Sequence, residues 1–240
     1  MTGGPVVRVA MWSGPRNIST AMMRSWENRP DTVVVDEPLY AYYLDRTGLD
    51  HPAREEVVAS QPTDPSEVVR TLLEDDSAPV HYAKHMTHHL LPDLDLDWVG
   101  SFRNVLLIRD PAEVVASYVR SRETCEPEDI GLLQQVRLLA TLPPDTPVID
   151  AADFLRDPEA HLRWLCDWLG IEFTEAMLQW PPGLRDSDGV WARHWYDAVA
   201  RSTGFEPWRP RSVSLDEHDA AVAEACRPSY DLLRERRLVL

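Results

Sequence analysis

"MWSGPRNISTAMMRSW", residues 11–26, begins at the end of an apolar, β-branched run and closes inside a stretch with helical spacing. The run before it, "VVRVAMW" (6–12), is apolar nearly throughout, the pattern of a strand covered on both faces. A buried strand that ends at Ser13, Gly14 and Pro15 and passes into a helix near Ile18 leaves the first helical N–H groups unpaired, with the helix dipole behind them. That is an anion site. Arg16 adds positive charge, and Ser19 and Thr20 add hydroxyl donors. On the plainer reading, Ser13 and Asn17 cap a helix and Arg16 is a solvated side chain.

The same alternation runs along the chain. Further apolar runs stand at "DTVVVDE" (31–37), "PVHYAKHM" (79–86), "NVLLIRD" (104–110) and "TPVIDA" (146–151). Helical stretches lie between or after them at 18–28, 66–75, 111–121, 129–142, 158–170 and 215–236, with Pro111 and Pro158 at first-turn positions and Gly170 at a C-cap. The expectation is an α/β three-layer fold with a central, mostly parallel sheet flanked by helices, formed by residues 1–240 as a single domain. The Trp-, Pro- and Gly-rich stretch 176–214 reads as a lid or flap.

Composition narrows the chemistry. At 240 residues and 44% hydrophobic, the chain can bury a substantial core. No apolar run approaches the ~18 residues of a membrane span, and "MTGGPVVRVA" has no secretory pattern, so the reading places the protein in the cytoplasm without a membrane partner. Cys125, Cys166 and Cys226 are widely spaced and read as buried, inert thiols. The formal charge is −16 and Lys84 is the only lysine. Such a surface repels nucleic acid and anionic polysaccharide and accepts a small or neutral substrate more easily.

The nucleoside-triphosphate P-loop, G-x-x-x-x-G-K-[ST], is the nearest general template, but Ser19 stands at its second glycine and Thr20 at its lysine. "SGPRNIST" (13–20) resembles instead the 5′-phosphosulfate loop of the sulfotransferases, approximately S-x-P-[KR]-[SN]-x-[ST]-[ST]. "VLLIRDPAEVVASYVRS" (105–121) resembles that family's 3′-phosphate segment, with Arg109 at the strand end and Ser117 eight residues on. Arg109 and Ser117 can converge on one phosphate beside the first loop; alternatively Arg109 pairs with Asp110 or Glu113. "KHMTHHLLPDL" (84–94) looks like the family's "KTHLP…LLP" segment, with Lys84 at its lysine. "DFLRDPEAHLRWLCDWLGIEF" (153–173) is similar to its "YEDL…DP…I..FLG" segment, with Ala151 or Ala152 in place of the tyrosine. "LRDSDGVWARHWYDAV" (184–199) resembles its late segment, with Arg185 at the arginine and Asp186 and Ser187 in place of lysine and glycine.

The resemblance implies a P-loop-type fold and 3′-phosphoadenosine 5′-phosphosulfate, PAPS, as co-substrate, with no metal. It places Ser13, Gly14, Pro15, Arg16, Asn17, Ile18, Ser19, Thr20, Arg109, Ser117 and Arg185 around the nucleotide. Transfer of a sulfuryl group to a hydroxyl or amine needs positive charge on the leaving phosphate, from Arg16, and a base for the acceptor proton. Glu37, directly after the second strand, is the first candidate, as in trehalose- and heparan-type sulfotransferases. Asp36 beside it points the other way in an extended chain. The histidine of the phenol-type enzymes falls here on Met86, so His85 and His88 are the rival bases. "PLYAYYLDR" after Glu37 is expected to contact the acceptor. Two other readings stay open: a non-catalytic nucleotide-binding or regulatory module of the same fold, and an ATP-dependent phosphotransferase, against which the missing Walker lysine weighs.

Overall fold

A computed structural model of the chain describes residues 5–120, 124–210 and 212–240. Position 121, where the helical stretch 111–121 ends, and Arg211, inside 176–214, lie outside the described residues. The central strand is β1 (Val7–Ser13), the one that leads into the opening loop. Around it β2 (Thr32–Asp36), β3 (Val80–Met86), β4 (Arg103–Ile108) and β5 (Val148–Asp150) form one sheet in the order β2-β3-β1-β4-β5. Every pairing is parallel.

The apolar runs are continuous because successive side chains enter two different cores. Val9 and Met11 of β1, with Val105 and Leu107 of β4, pack on one face; Ala10 and Trp12, with Leu106 and Ile108, pack on the other. The first face is covered by α1 (Ser19–Glu27) and α9 (Pro158–Leu169). The second is covered by α4 (Pro65–Glu74), α5 (Pro111–Tyr118), α7 (Leu132–Leu139) and the long α12 (Glu217–Glu235). This is the expected α/β architecture, with helices on both sides of a parallel sheet.

Outside the stretch after α9, the described residues add three helices to the sequence reading: α2 (Tyr40–Thr47), α3 (Arg54–Ser60) and α8 (Ala151–Arg156). The last begins at the end of β5, because Asp150 accepts from Ala152 N and caps it at once. The single helix expected over 129–142 is two, α6 (Pro127–Ile130) and α7, broken at Gly131 with φ 78°. The break lets the chain pass tightly under the opening loop: a Cβ on Gly131 would meet Thr87 Oγ1 at 2.5 Å, and one on Gly14 would meet the Ile130 carbonyl at 2.2 Å. The stretch after α9 contains the short helices α10 (Ala192–Trp195) and α11 (Asp197–Ala200) and an antiparallel bridge between Gln179 and Gly204. The three cysteines are buried and unbonded. Among the described residues no helix is long and apolar enough to cross a membrane.

Candidate active site

The carboxyl ends of the strands open into a cavity of about 980 Å³, within the range of nucleotide and cofactor sites. One end is built on the opening loop. Pro15 to Ala21 line it, and no side chain caps α1, so the N–H groups of the first turn face the cavity. Asn17 is not a helix cap: its Nδ2 donates to the Leu107 carbonyl at 3.1 Å and its Oδ1 accepts from Ile18 N at 2.8 Å. Arg16, held at φ 54°, donates from Nε to Ser117 Oγ at 3.1 Å. Burial, with Arg120 and Arg109 close by, lowers the Arg16 pKa from the ordinary guanidinium value. A cluster of arginines in a chain of formal charge −16 marks a place for an anion.

Arg109 also lines this end. Its guanidinium makes two bonds to Glu113 Oε2, at 3.0 and 2.7 Å, and one to the Arg16 carbonyl at 2.7 Å, so the ion pair foreseen as the plainer reading exists inside the cavity. The wall beyond is Leu155 of α8, Trp208 and Tyr230, with Arg209 at the rim. The segment carrying Arg209 is fixed by a bond from Trp208 N to the Leu155 carbonyl at 3.1 Å and by the Arg156 guanidinium 4.1 Å from the Trp208 ring centroid.

The other end holds a buried charge cluster. The β2–β3 register sets Asp36 beside Lys84, and parallel partners in register present their side chains to one face. Lys84 Nζ lies 2.7 Å from Asp36 Oδ1, 2.8 Å from Glu37 Oε1 and 3.3 Å from Thr20 Oγ1, and also bonds the Tyr196 hydroxyl. The expectation that Asp36 points away from Glu37 is corrected here. Glu37 is at φ 42°, outside the extended region, so both neighbouring carboxylates turn to the same ammonium. A non-glycine residue in that region costs of order 1–3 kcal/mol and persists only where its surroundings hold it. Here the backbone supplies bonds from Glu37 N to the Lys84 carbonyl at 2.9 Å and from Tyr40 N to the Glu37 carbonyl at 3.0 Å.

Burial raises the Glu37 pKa, opposed by Lys84 and assisted by Asp36. Burial alone would lower that of Lys84, but the two carboxylates outweigh it and it stands well above the ordinary value. Around Glu37 the cavity is lined by Tyr40, His51, Met86, His88, His89 and Trp195. His89 stacks between Tyr40 and Tyr43, at 4.9 and 4.8 Å.

Four residues expected at the site are placed elsewhere. His85 does not line the cavity, because alternation along β3 sends it to the face opposite Lys84, stacked 4.2 Å from Trp12, where burial drives its pKa down to about 3. Arg185 pairs with Glu27 at 2.9 Å on the far side of α1. Ser13 is fully buried and bonds the Gly14 carbonyl, and Gly14 answers to the Ile130 carbonyl rather than to a ligand. Asp36, Tyr196 and Arg209 were not foreseen; Lys84, a charged residue inside an apolar strand, carried a visible signal. Among the described residues no cluster of three or more His, Cys, Asp or Glu could hold a metal ion.

Residues 7–237 match the family described as a sulfotransferase domain, and the chain belongs to that family. It is 38% identical over 231 residues, 93% of its own length, to the branched-chain-amino-acid aminotransferase-like protein 1 of Arabidopsis thaliana. It spans 41% of the length of that relative. In fold it is similar to the sulfotransferase domain from the curacin biosynthetic pathway, with TM-score 0.60 at 17% identity, covering 94% of this chain and 99% of that one. It is also similar to a sulfotransferase from Alicyclobacillus acidocaldarius, with TM-score 0.55 at 14% identity and 98% of each chain covered.

Proposed function

We propose that the protein moves a sulfuryl group from PAPS to a hydroxyl or amine of a small acceptor, with Glu37 as the base. One observation carries this reading: a single cavity joins the uncapped, arginine-bearing start of α1 to a buried carboxylate whose proton affinity is raised. The 5′-phosphosulfate would sit on the N–H groups of Ser19 to Ala21 beside Arg16, which keep negative charge on the leaving phosphate. The 3′-phosphate would meet Arg109, Ser117 and Arg209, and the base would lie against Trp208 and Tyr230. Arg185 has no part in this reading.

The acceptor then enters between Tyr40, Met86, His88 and Trp195 and gives its proton to Glu37 as the new bond from sulfur to the acceptor oxygen or nitrogen forms and the bond to the leaving phosphate breaks in line. His88 suits a hydrogen-bonding role better than that of base, since burial holds its pKa at about 3. In this reading the flap supplies Trp195, Tyr196, Trp208 and Arg209 to both halves.

Calorimetric titration tests the donor. Adenosine 3′,5′-bisphosphate should bind much more tightly than AMP or ATP, EDTA should leave that affinity unchanged, and Arg109→Ala should remove the preference for the second phosphate. Equal affinity for AMP and the bisphosphate in the parent protein would overturn the assignment.

A further inference from the structure

Asp36 does not line the cavity, yet it gathers donors from both sides of the site. Its carboxylate accepts from Lys84 Nζ at 2.7 Å, from the Tyr196 hydroxyl at 2.7 and 2.9 Å, and from Gly189 N at 3.1 Å. The direction of this network is fixed by what each group can do. Trp191 Nε1 and Lys84 Nζ are donors only, and both reach the Tyr196 oxygen, the former at 3.2 Å. The phenolic proton therefore goes to a carboxylate, and Asp36, at 2.7 and 2.9 Å, takes it ahead of Glu37 Oε1, which the same hydroxyl reaches only at 3.5 Å. Lys84 has three protons to place; Asp36 and Tyr196 each take one and Glu37 takes the third. Thr20 Oγ1, at 3.3 Å, competes weakly for any of them.

We propose that Tyr196 is a positioning residue for the base: through Asp36 it fixes the Lys84 ammonium so that one proton is always presented to Glu37, and so sets the proton affinity of Glu37. This rests on Glu37 being the base. The other groups facing the pair are Tyr40 on α2 and His51, His88 and His89. Of these, His88 is held at about 3 and His89 well below its usual value by burial, so both imidazoles stay neutral near pH 7. Removing the phenol strips Asp36 of a donor, Asp36 then draws Lys84 toward itself, and Glu37 loses its share. Removing the Asp36 charge does the reverse, leaving Glu37 as the only carboxylate for Lys84.

Because Lys84 is the only lysine, nitrogen-15 lysine labelling yields one side-chain ammonium signal, and its shift followed against pH reports ionisation of its neighbours. In the parent protein the signal should inflect at the Glu37 titration and lose that inflection in Glu37→Gln. Tyr196→Phe should move the inflection up by about one pH unit, and Asp36→Asn should move it down by a similar amount. Bisphosphate affinity should stay within about twofold in Tyr196→Phe, because none of the phosphate-facing groups is touched. A merely structural tyrosine would lower the melting temperature and leave the inflection in place. An unmoved inflection in Tyr196→Phe, movement in the same direction in both variants, or an inflection that survives Glu37→Gln would each overturn the proposal. Unchanged turnover in Glu37→Gln would instead overturn the base assignment, and the ammonium titration separates the two results.

Discussion

Arg16 donates from Nε to Ser117 Oγ across 3.1 Å, joining the opening loop to a helix 101 residues away in sequence. The hydroxyl holds the guanidinium at the same point where it can face a phosphate. Ser117→Ala should weaken binding of adenosine 3′,5′-bisphosphate by about ten- to a hundredfold, the range for a hydrogen bond to a charged group. Arg16→Ala should weaken both the bisphosphate and AMP, since Arg16 is assigned to the 5′ phosphate that they share. Titration calorimetry of the two variants with the two nucleotides checks this, and the opposite pattern would separate the side chains from the phosphates assigned to them.

Arg209 and Arg185 divide cleanly in structure. Arg209 lines the cavity, and Arg185 is held by Glu27 at 2.9 Å. Arg209→Ala should cost about tenfold or more in bisphosphate affinity with little change for AMP. Arg185→Ala should leave both affinities near the parent value and lower the melting temperature, since it leaves Glu27 without that partner. A larger binding loss in Arg185→Ala than in Arg209→Ala would reverse the assignment.

Glu37→Gln keeps the shape of the side chain and removes the proposed base. Nucleotide affinity should hold while turnover of labelled PAPS with a panel of small hydroxyl and amine acceptors falls by about two to four orders of magnitude. As the proposed base, Glu37 would act as the carboxylate. As its pKa is raised, by burial first, parent turnover should climb as pH rises through that elevated value and be lost below it. Turnover in the variant close to that of the parent would remove Glu37 from the mechanism.

Stability should fall in acid for a separate reason. His85 and His88 are held at about 3 by burial, against about 6.5 in an unfolded chain. Between those values the unfolded state binds the protons and the native state does not, so stability is complete above about pH 6.5 and declines toward pH 3, by up to about 1.4 kcal/mol per pH unit for each histidine. Urea unfolding at a series of pH values measures the slope. His85→Phe, which keeps the stack on Trp12, should reduce it, and an unchanged slope would place the acid sensitivity elsewhere.

The layered α/β fold was legible because burial on two faces writes itself into apolar runs, and β1 to β5 lie where those runs lie. The turn proposed to bind an anion is legible for a similar reason: a helix start, an arginine and two hydroxyls are local. What sequence could not show is direction. The Asp36–Glu37 pair was read with strand alternation, and a single backbone angle at Glu37 brings both carboxylates to Lys84. The resemblance places Gly14 beside the nucleotide, whereas the group pressed against it belongs to Ile130, more than a hundred residues away. Tyr196 and Arg209 carry no local mark at all, since their roles arise only when residues 189–210 fold back over the sheet.

The two ends of the cavity are drawn from separate parts of the chain. The loop at 15–21, Arg109, Ser117 and α8 build one; Tyr40, Met86, His88 and Trp195 build the other, and they meet at Lys84 and Thr20. On the proposed function, replacements in α2 or in the turn at Thr87–His89 would change the acceptor end of the cavity and leave the phosphate end as it is.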